Sequence, residues 1–220
     1  MSREFRQPVY APPKGSADLL LIRHGESAPA REGVHFDTVD GHGDPHLHPQ
    51  GHKQAERVGE RLKGNPIRQI YVTKLTRTQQ TAAPLAQHLG LTPQQNPDLH
   101  EVHLGDWDGG LYRVKAAAND PVYRRAMEAQ DWGLIPNAET RDAFFERVTR
   151  GLMAIAADHI DEQVAVFVHG GVIAAALAVA TRSEPFAFLG AANGSISRLV
   201  IQGDRMTIRG FNDISHLDDL

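Results

Sequence analysis

Two histidines in this chain stand at the ends of apolar runs, each followed by glycine. Arg23-His24-Gly25-Glu26 follows "LLLI", and His169-Gly170-Gly171 follows "VAVFV". Arg77 comes shortly after the run "IRQIYVT", and Glu101 sits within "LHEVHLGDW". These residue types together suit phosphoryl transfer. An arginine fork matches phosphate oxygens and stays charged at any working pH. A neutral imidazole attacks phosphorus as a nucleophile, and a second histidine donates to a phosphate oxygen. A carboxyl group protonates the departing alkoxide and then deprotonates the attacking water. Gly170 and Gly171 leave backbone N–H groups open at a helix start, a second place for an anion. Each piece also has a plain structural reading: a polar strand end, a surface arginine, a turn cap, a close helix–sheet contact. What argues for one joint site is that the strand-to-loop placement recurs.

Those junctions need elements to position them. Ala17 to Ile22 is a continuous apolar run, the pattern of a strand buried on both faces. Residues 25 to 49 form a long polar loop rich in Gly, Pro, Asp and His. "QGHKQAERVGERL" from Gln50 reads as a helix with Ala55, Val58 and Leu62 on one face. "IRQIYVT" is the next strand, followed by the helix "RTQQTAAPLAQHLG", which ends at Gly90 and contains Pro84. A polar helical stretch after Gly110 breaks near Asp120-Pro121. A long helix follows from Thr140, with Phe144, Val148, Leu152 and Ile155 as its apolar stripe. "QVAVFVHGG" then repeats the strand–histidine–glycine grammar and leads into the alanine-rich helix "GVIAAALAVATR". "SISRLVIQG" and "RMTIRGFND" read as a closing hairpin turning at Gly203-Asp204. Alternating strands and helices predict an α/β domain, with a mostly parallel sheet between helical layers. The two histidine junctions are then expected at the carboxyl ends of neighbouring strands, where such sheets bind ligands. Residues 1–16 read as an irregular arm, and residues 17–220 as one domain with a cover segment at about 108–138.

Composition narrows the function classes. The chain has 220 residues, 41% of them hydrophobic and 23% charged, ordinary values for a soluble domain. A net charge of -4 supplies no global basic field for nucleic acid. The absence of cysteine rules out disulfides and thiolate sites and fits a cytoplasmic location. "MSREFRQPVYAPPKGSAD" lacks the apolar centre of a secretory signal. No run reaches the length of a membrane span, so no membrane partner is expected. The strand region near 195 to 210 offers an edge that would suit a homodimer.

"RHGES", "GHGDPHLHPQGHKQA", "YVTKLTRTQQTA", "HEVHLGDWDGG", "VFVHGGVI" and "FNDISHL" resemble, in order and over roughly residues 17 to 217, the histidine phosphatase superfamily, which includes the cofactor-dependent phosphoglycerate mutases. The resemblance implies a phosphoglycerate mutase-like three-layer α/β/α sandwich. It also implies catalysis without a metal or other cofactor. It makes His24 the nucleophile that becomes phosphohistidine and Glu101 the proton donor and base. Arg23, Arg77 and His169, with the Gly170 backbone, become the phosphate pocket.

Within that family the residues lean toward a phosphatase acting on a small phosphorylated metabolite. Mutases read R-H-G-E-S-x-W-N, whereas Pro29 and Ala30 stand at the Trp and Asn positions here. The basic residues between Tyr112 and Asn137 (Arg113, Lys115, Arg124, Arg125) are not in the mutase register. A mutase must also keep water from its phosphohistidine, which a short cover does less well. The mutase is the alternative within the family. The rival from another class is a metal-binding protein or metal-dependent hydrolase using the loop that holds His35, His42, His46, His48 and His52. The plain reading of that loop is a solvated segment whose histidines contact substrate or nothing. His48 takes the place of the helix-capping Ser or Thr of the family, so Asp44 is expected to cap or brace the turn. A third reading, a phosphate binder without turnover, is disfavoured because a binder needs neither nucleophile nor acid. Trp107, Tyr112, Tyr123 and Trp132 either line the entrance or only pack.

Overall fold

The computed structural model describes residues 4–218 and 220. Residues 4–16 form neither helix nor strand. The strands are β1 (Ala17–Arg23), β2 (Thr38–Val39), β3 (His42–Gly43), β4 (Ile67–Val72), β5 (Gln94–Gln95), β6 (Gln163–Val168), β7 (Ile196–Gln202) and β8 (Arg205–Asp213). Six of them form one sheet in the order β5-β4-β6-β1-β7-β8, and β2 and β3 pair as a small separate hairpin. β1, β4, β5 and β6 run parallel, while β7 and β8 are antiparallel additions.

The apolar runs are continuous because both sheet faces are covered. Leu19, Leu21, Val164, Val166 and Val168 face one core, while Leu20, Ile22, Ala165 and Phe167 face the other. This is the period-two alternation of a pleated strand, with both sides dry. Helices α1 (Pro49–Leu62) and α2 (Thr76–Leu89) cover the second face through Val58, Leu62, Ala82 and Leu85. Gly59 lets the two helices close up, since a Cβ there would stand 2.9 Å from Pro84 Cβ and 3.2 Å from the Leu85 nitrogen. α2 runs through Pro84 without a break and ends on Gly90 in the left-handed region (φ 64°).

Helices α3 (Leu111–Ala117) and α4 (Pro121–Glu128) form the broken stretch after Gly110, with Asp120 capping α4. The first core is closed by α5 (Arg141–Asp158) and α6 (Gly170–Thr181). The stripe of α5 is buried as expected, and α6 is buried from Gly171 to Ala178. Alanine keeps α6 narrow enough to lie between the sheet and α5. The result is a three-layer α/β/α arrangement.

Two local expectations are corrected. His48 itself caps α1, its Nδ1 accepting the Gln50 N–H at 3.3 Å. An imidazole nitrogen is an acceptor like the Ser or Thr oxygen it replaces. Asp44 instead braces the start of α2, accepting from the Thr76 N–H and hydroxyl, each at 2.7 Å. The sheet edge in the closing hairpin is β8, because β7 is paired on both sides, and β5 is the edge at the far end. Among the described residues, no helix is long and apolar enough to cross a membrane.

Candidate active site

β1 and β6 lie side by side in parallel with Arg23 opposite Val168, so both histidine junctions leave the sheet at the same end. The His24 N–H donates to the Val168 carbonyl at 3.0 Å. The His24 and His169 rings meet edge-on with centroids 5.3 Å apart. His24 is held on every side. Asn193 Nδ2 donates to its carbonyl at 2.9 Å, and the next N–H, of Gly25, donates to Thr81 Oγ1 at 3.0 Å. Gly25 is required here because a Cβ would sit 2.5 Å from the Gly51 carbonyl oxygen. The ring contact that matters most is His24 Nδ1 to the Gly25 carbonyl, 2.7 Å. A carbonyl only accepts, so Nδ1 carries the proton and Nε2 keeps its lone pair.

Positive charge surrounds that lone pair. Arg23 bonds the Ala191 carbonyl through Nη1, while its Nε is buried with no hydrogen-bond partner in the protein. Arg77 is 7% exposed at the start of α2, donates to the Gly43 carbonyl at 2.9 Å and has Asp44 4.0 Å away. Burial lowers its pKa to about 10, which leaves it charged at neutral pH. Burial first, then Arg77 and Arg23, holds His24 well below its ordinary value. His169 is lowered too, by burial and then by Arg77 and His24, so it is neutral in the free protein. Its Nε2 lies 3.2 Å from Thr73 Oγ1. Thr78 Oγ1 donates to the Leu75 carbonyl at 2.9 Å, so across the 3.0 Å Thr73–Thr78 contact the Thr73 hydroxyl is the donor. Thr73 Oγ1 then accepts from His169 Nε2–H, and Nδ1, a buried atom without a partner, keeps its lone pair in the free protein.

Glu101 closes the site. Its Oε1 accepts the Val102 N–H at 2.9 Å and its Oε2 accepts the Gly171 N–H at 3.1 Å. Thus the backbone of Gly171, read from sequence as an anion site, here holds this carboxylate. A Cβ on Gly171 would overlap Glu101 Oε1. Arg23, His24, Arg77, Glu101, Gly170 and Gly171 all border one cavity of about 390 Å³. His169 lies behind its wall, wholly buried.

The family model of the histidine phosphatase superfamily (branch 1) matches residues 19–214, nearly all of the sequence in which these groups converge. The chain belongs to this superfamily. It is 32% identical over 209 residues to phosphoglycerate mutase-like protein 4 of Arabidopsis thaliana, covering 92% of this chain and 88% of that protein. To the metal-independent phosphoserine phosphatase of the same plant it is 30% identical, covering 92% and 84%. The structure of a mycobacterial glucosyl-3-phosphoglycerate phosphatase superposes with a TM-score of 0.73 at 25% identity, covering 90% of this chain and 99% of that one.

Two arginines of this histidine phosphatase act where sequence reasoning did not place them. Arg113, on α3, borders the cavity and holds the chain just past His24, donating to the Ala28 carbonyl at 2.9 Å and to Ser27 Oγ at 2.7 Å. Arg147, on α5, donates to the carbonyls of Asp98 (2.9 Å), His100 (2.7 Å) and Glu101 (2.8 Å) while paired with Glu139 at 2.7 Å. It therefore fixes the segment that carries the carboxylate. The histidine-rich loop is dispersed. His42 is buried, its Nε2 2.9 Å from the Glu101 carbonyl and its Nδ1 3.2 Å from the Asp40 carbonyl. His48 caps α1, and His35, His46 and His52 are exposed. Among the described residues, no three His, Asp or Glu side chains come together as a metal-binding set. Trp107, Tyr112, Tyr123 and Trp132 all border the cavity, and Trp107 and Trp132 are also buried core residues.

The buried neutral histidines have a pH consequence. His100 is also lowered, to about 4, by burial and then by His42 and Arg147. In the unfolded chain a histidine binds a proton near pH 6.5. Below about that pH the unfolded state therefore takes up protons that the folded state refuses at His24, His169 and His100, and stability falls. Denaturant midpoints are expected to be flat above about pH 7 and to drop between about pH 6.5 and pH 5. A flat midpoint through that window would show that these groups ionise in the folded state.

Proposed function

We propose that this chain hydrolyses phosphate monoesters of a small metabolite through a phosphohistidine on His24. The observation that carries the reading is the Nδ1–Gly25 contact, which leaves His24 Nε2 unprotonated among three arginines. Arg23, Arg77 and Arg113 take the phosphoryl oxygens and stabilise the charge that builds in the transition state. Nε2 attacks phosphorus in line with the ester oxygen, and the bond from phosphorus to that oxygen breaks. Glu101 gives its proton to the departing oxygen, and the alcohol leaves. Glu101, now a carboxylate held by two N–H groups, takes a proton from water as the water oxygen attacks phosphorus. The nitrogen–phosphorus bond breaks, and phosphate and neutral His24 are restored. His169 Nδ1, which has no partner in the protein, takes up a proton when the anionic phosphoryl group binds and donates it in a hydrogen bond to a phosphoryl oxygen. The arginines supply the positive charge that a metal provides in other phosphatases.

Hydrolysis rather than transfer to a second phosphoglycerate is favoured by a second cavity, of about 560 Å³. It also borders Arg23 and His24, and its wall includes Pro29 and Ala30. Water reaches the phosphohistidine from that side. The test is rapid quenching of chelator-treated protein with an aryl phosphate. The expected result is a phosphoryl group on His24, with turnover insensitive to chelator and blocked by vanadate. Turnover lost with the metal would overturn the reading, as would phosphoglycerate interconversion that requires a bisphosphoglycerate.

A further inference from the structure

The cavity that Glu101 borders is larger than a phosphoryl group needs, and the rest of it has a distinct chemistry. Beyond Glu101 its wall is Leu104, Trp107, Tyr112, Tyr123, Met127 and Trp132. The acid abuts this wall. The point where a Gly171 Cβ would stand overlaps Glu101 Oε1 and lies 3.4 Å from Trp132 Cη2. An ester oxygen protonated by Glu101 therefore has the rest of its alcohol among these rings.

The cations of the cover segment point away from that chamber or sit behind its rings. Lys115, its ammonium 5.9 Å from the Trp107 ring centroid, is paired with Asp120 at 3.0 Å and does not border the cavity, and Arg124 and Arg125 line a separate surface hollow. Of the basic residues in this segment only Arg113 reaches the cavity, and it does so at the phosphate end, within electrostatic reach of Arg23, His24 and Arg77. The anion on the wall is Asp108, whose oxygens accept the Gly43 N–H at 3.1 Å and the Leu104 N–H at 2.7 Å. A second anionic group on the substrate, away from the three phosphate-binding arginines, would meet Asp108. Two of the rings join their polar tips, Trp132 Nε1–H donating to Tyr112 Oη at 3.4 Å. The Tyr112 ring stands edge-on to Tyr123 at 5.9 Å. Such a wall gains by covering apolar area and offers little to a carboxylate or ammonium.

We propose that the substrate's alcohol portion is uncharged and apolar, with a ring or comparable hydrocarbon group seated between Trp107, Tyr112, Tyr123 and Trp132. This rests on the phosphomonoesterase reading and names its substrate class. The experiment compares kcat/KM of the full chain on ethyl phosphate, phenethyl phosphate, 3-phosphoglycerate and phosphocholine, all esters of alkyl alcohols. Phenethyl phosphate is expected to exceed ethyl phosphate about 10- to 100-fold, the range for burying one phenyl group. The other two esters are expected to fall below phenethyl phosphate. Equal or faster turnover of 3-phosphoglycerate or phosphocholine would overturn the proposal. Met127→Arg places a cation in the wall, and the preference for phenethyl phosphate over 3-phosphoglycerate should fall about tenfold or more. An unchanged ratio in that folded variant would remove the chamber from substrate recognition, and the wild-type series decides if the variant does not fold. If ethyl phosphate is hydrolysed through His24 without a gain from the phenyl group, the substrate class falls and the phosphatase reading stands. If no ester is turned over, both fall.

Discussion

The His24→Ala variant is expected to lose about 10⁴- to 10⁶-fold in kcat, the scale seen when a covalent nucleophile is removed. Quenched reactions should yield no phosphoryl-protein. Binding of inorganic phosphate or vanadate should persist, since Arg23, Arg77 and Arg113 remain and each has backbone partners of its own that do not involve the imidazole. The alternative is a strand-terminal histidine that only satisfies its neighbours. Under that reading the variant would lose stability and keep its turnover in proportion to the folded fraction. Kinetics and a denaturation curve on the same preparation separate the two. Turnover within tenfold of the parent would end the assignment of His24 as nucleophile.

The Glu101→Gln variant should show an effect that depends on the leaving group. A carboxamide has no proton to give, so alkyl phosphates should slow about 10²- to 10⁴-fold in kcat, the usual share of general acid–base catalysis. A nitrophenyl phosphate carries a stable leaving group and needs no acid in the first step. Its phenol should therefore appear in a burst, followed by slow turnover, because the second step lacks the base that activates water. Phosphohistidine should accumulate in this variant where the parent shows little. Gly171→Ala should act in the same direction while leaving the carboxylate in place chemically, since the new methyl overlaps Glu101 Oε1 and pushes the carboxylate aside. Equal loss on alkyl and aryl esters, with no burst, would remove Glu101 from proton transfer.

Much of this architecture was legible because it is written in short-range patterns. Continuous apolar runs marked β1 and β6, and the strand-to-histidine grammar marked the two junctions that the β1–β6 register brings together. The apolar stripe from Phe144 to Ile155 marked α5. Residues acting across long sequence distances were harder to see. Arg113 reaches Ser27 and Ala28, 86 and 85 residues away, and from a polar helix it looks like a surface charge. Arg147 left a signal that went unused, because it falls on the buried stripe of α5, three residues after Phe144. A cation at that register needs partners inside, and it finds them in three carbonyls and Glu139. The histidine-rich loop shows the opposite relation between sequence and space. Its histidines are close in sequence, but the β2–β3 hairpin and the start of α1 give them separate tasks.

The position of β1 also bears on how the chain comes to be folded. This strand, the carrier of Arg23, is hydrogen-bonded on one side by β6 and on the other by β7, and both come after residue 162. During synthesis one of the most apolar segments of the protein therefore waits with two open edges until the last quarter of the chain arrives. Pairings between such distant segments form slowly, and unpaired strand edges invite association with other chains. Chains released short of β6 should be aggregation-prone and inactive. In refolding, recovery of catalysis should trail the gain of helical signal, because α1 and α2 close on local contacts while the phosphate site exists only once β1 has found both neighbours.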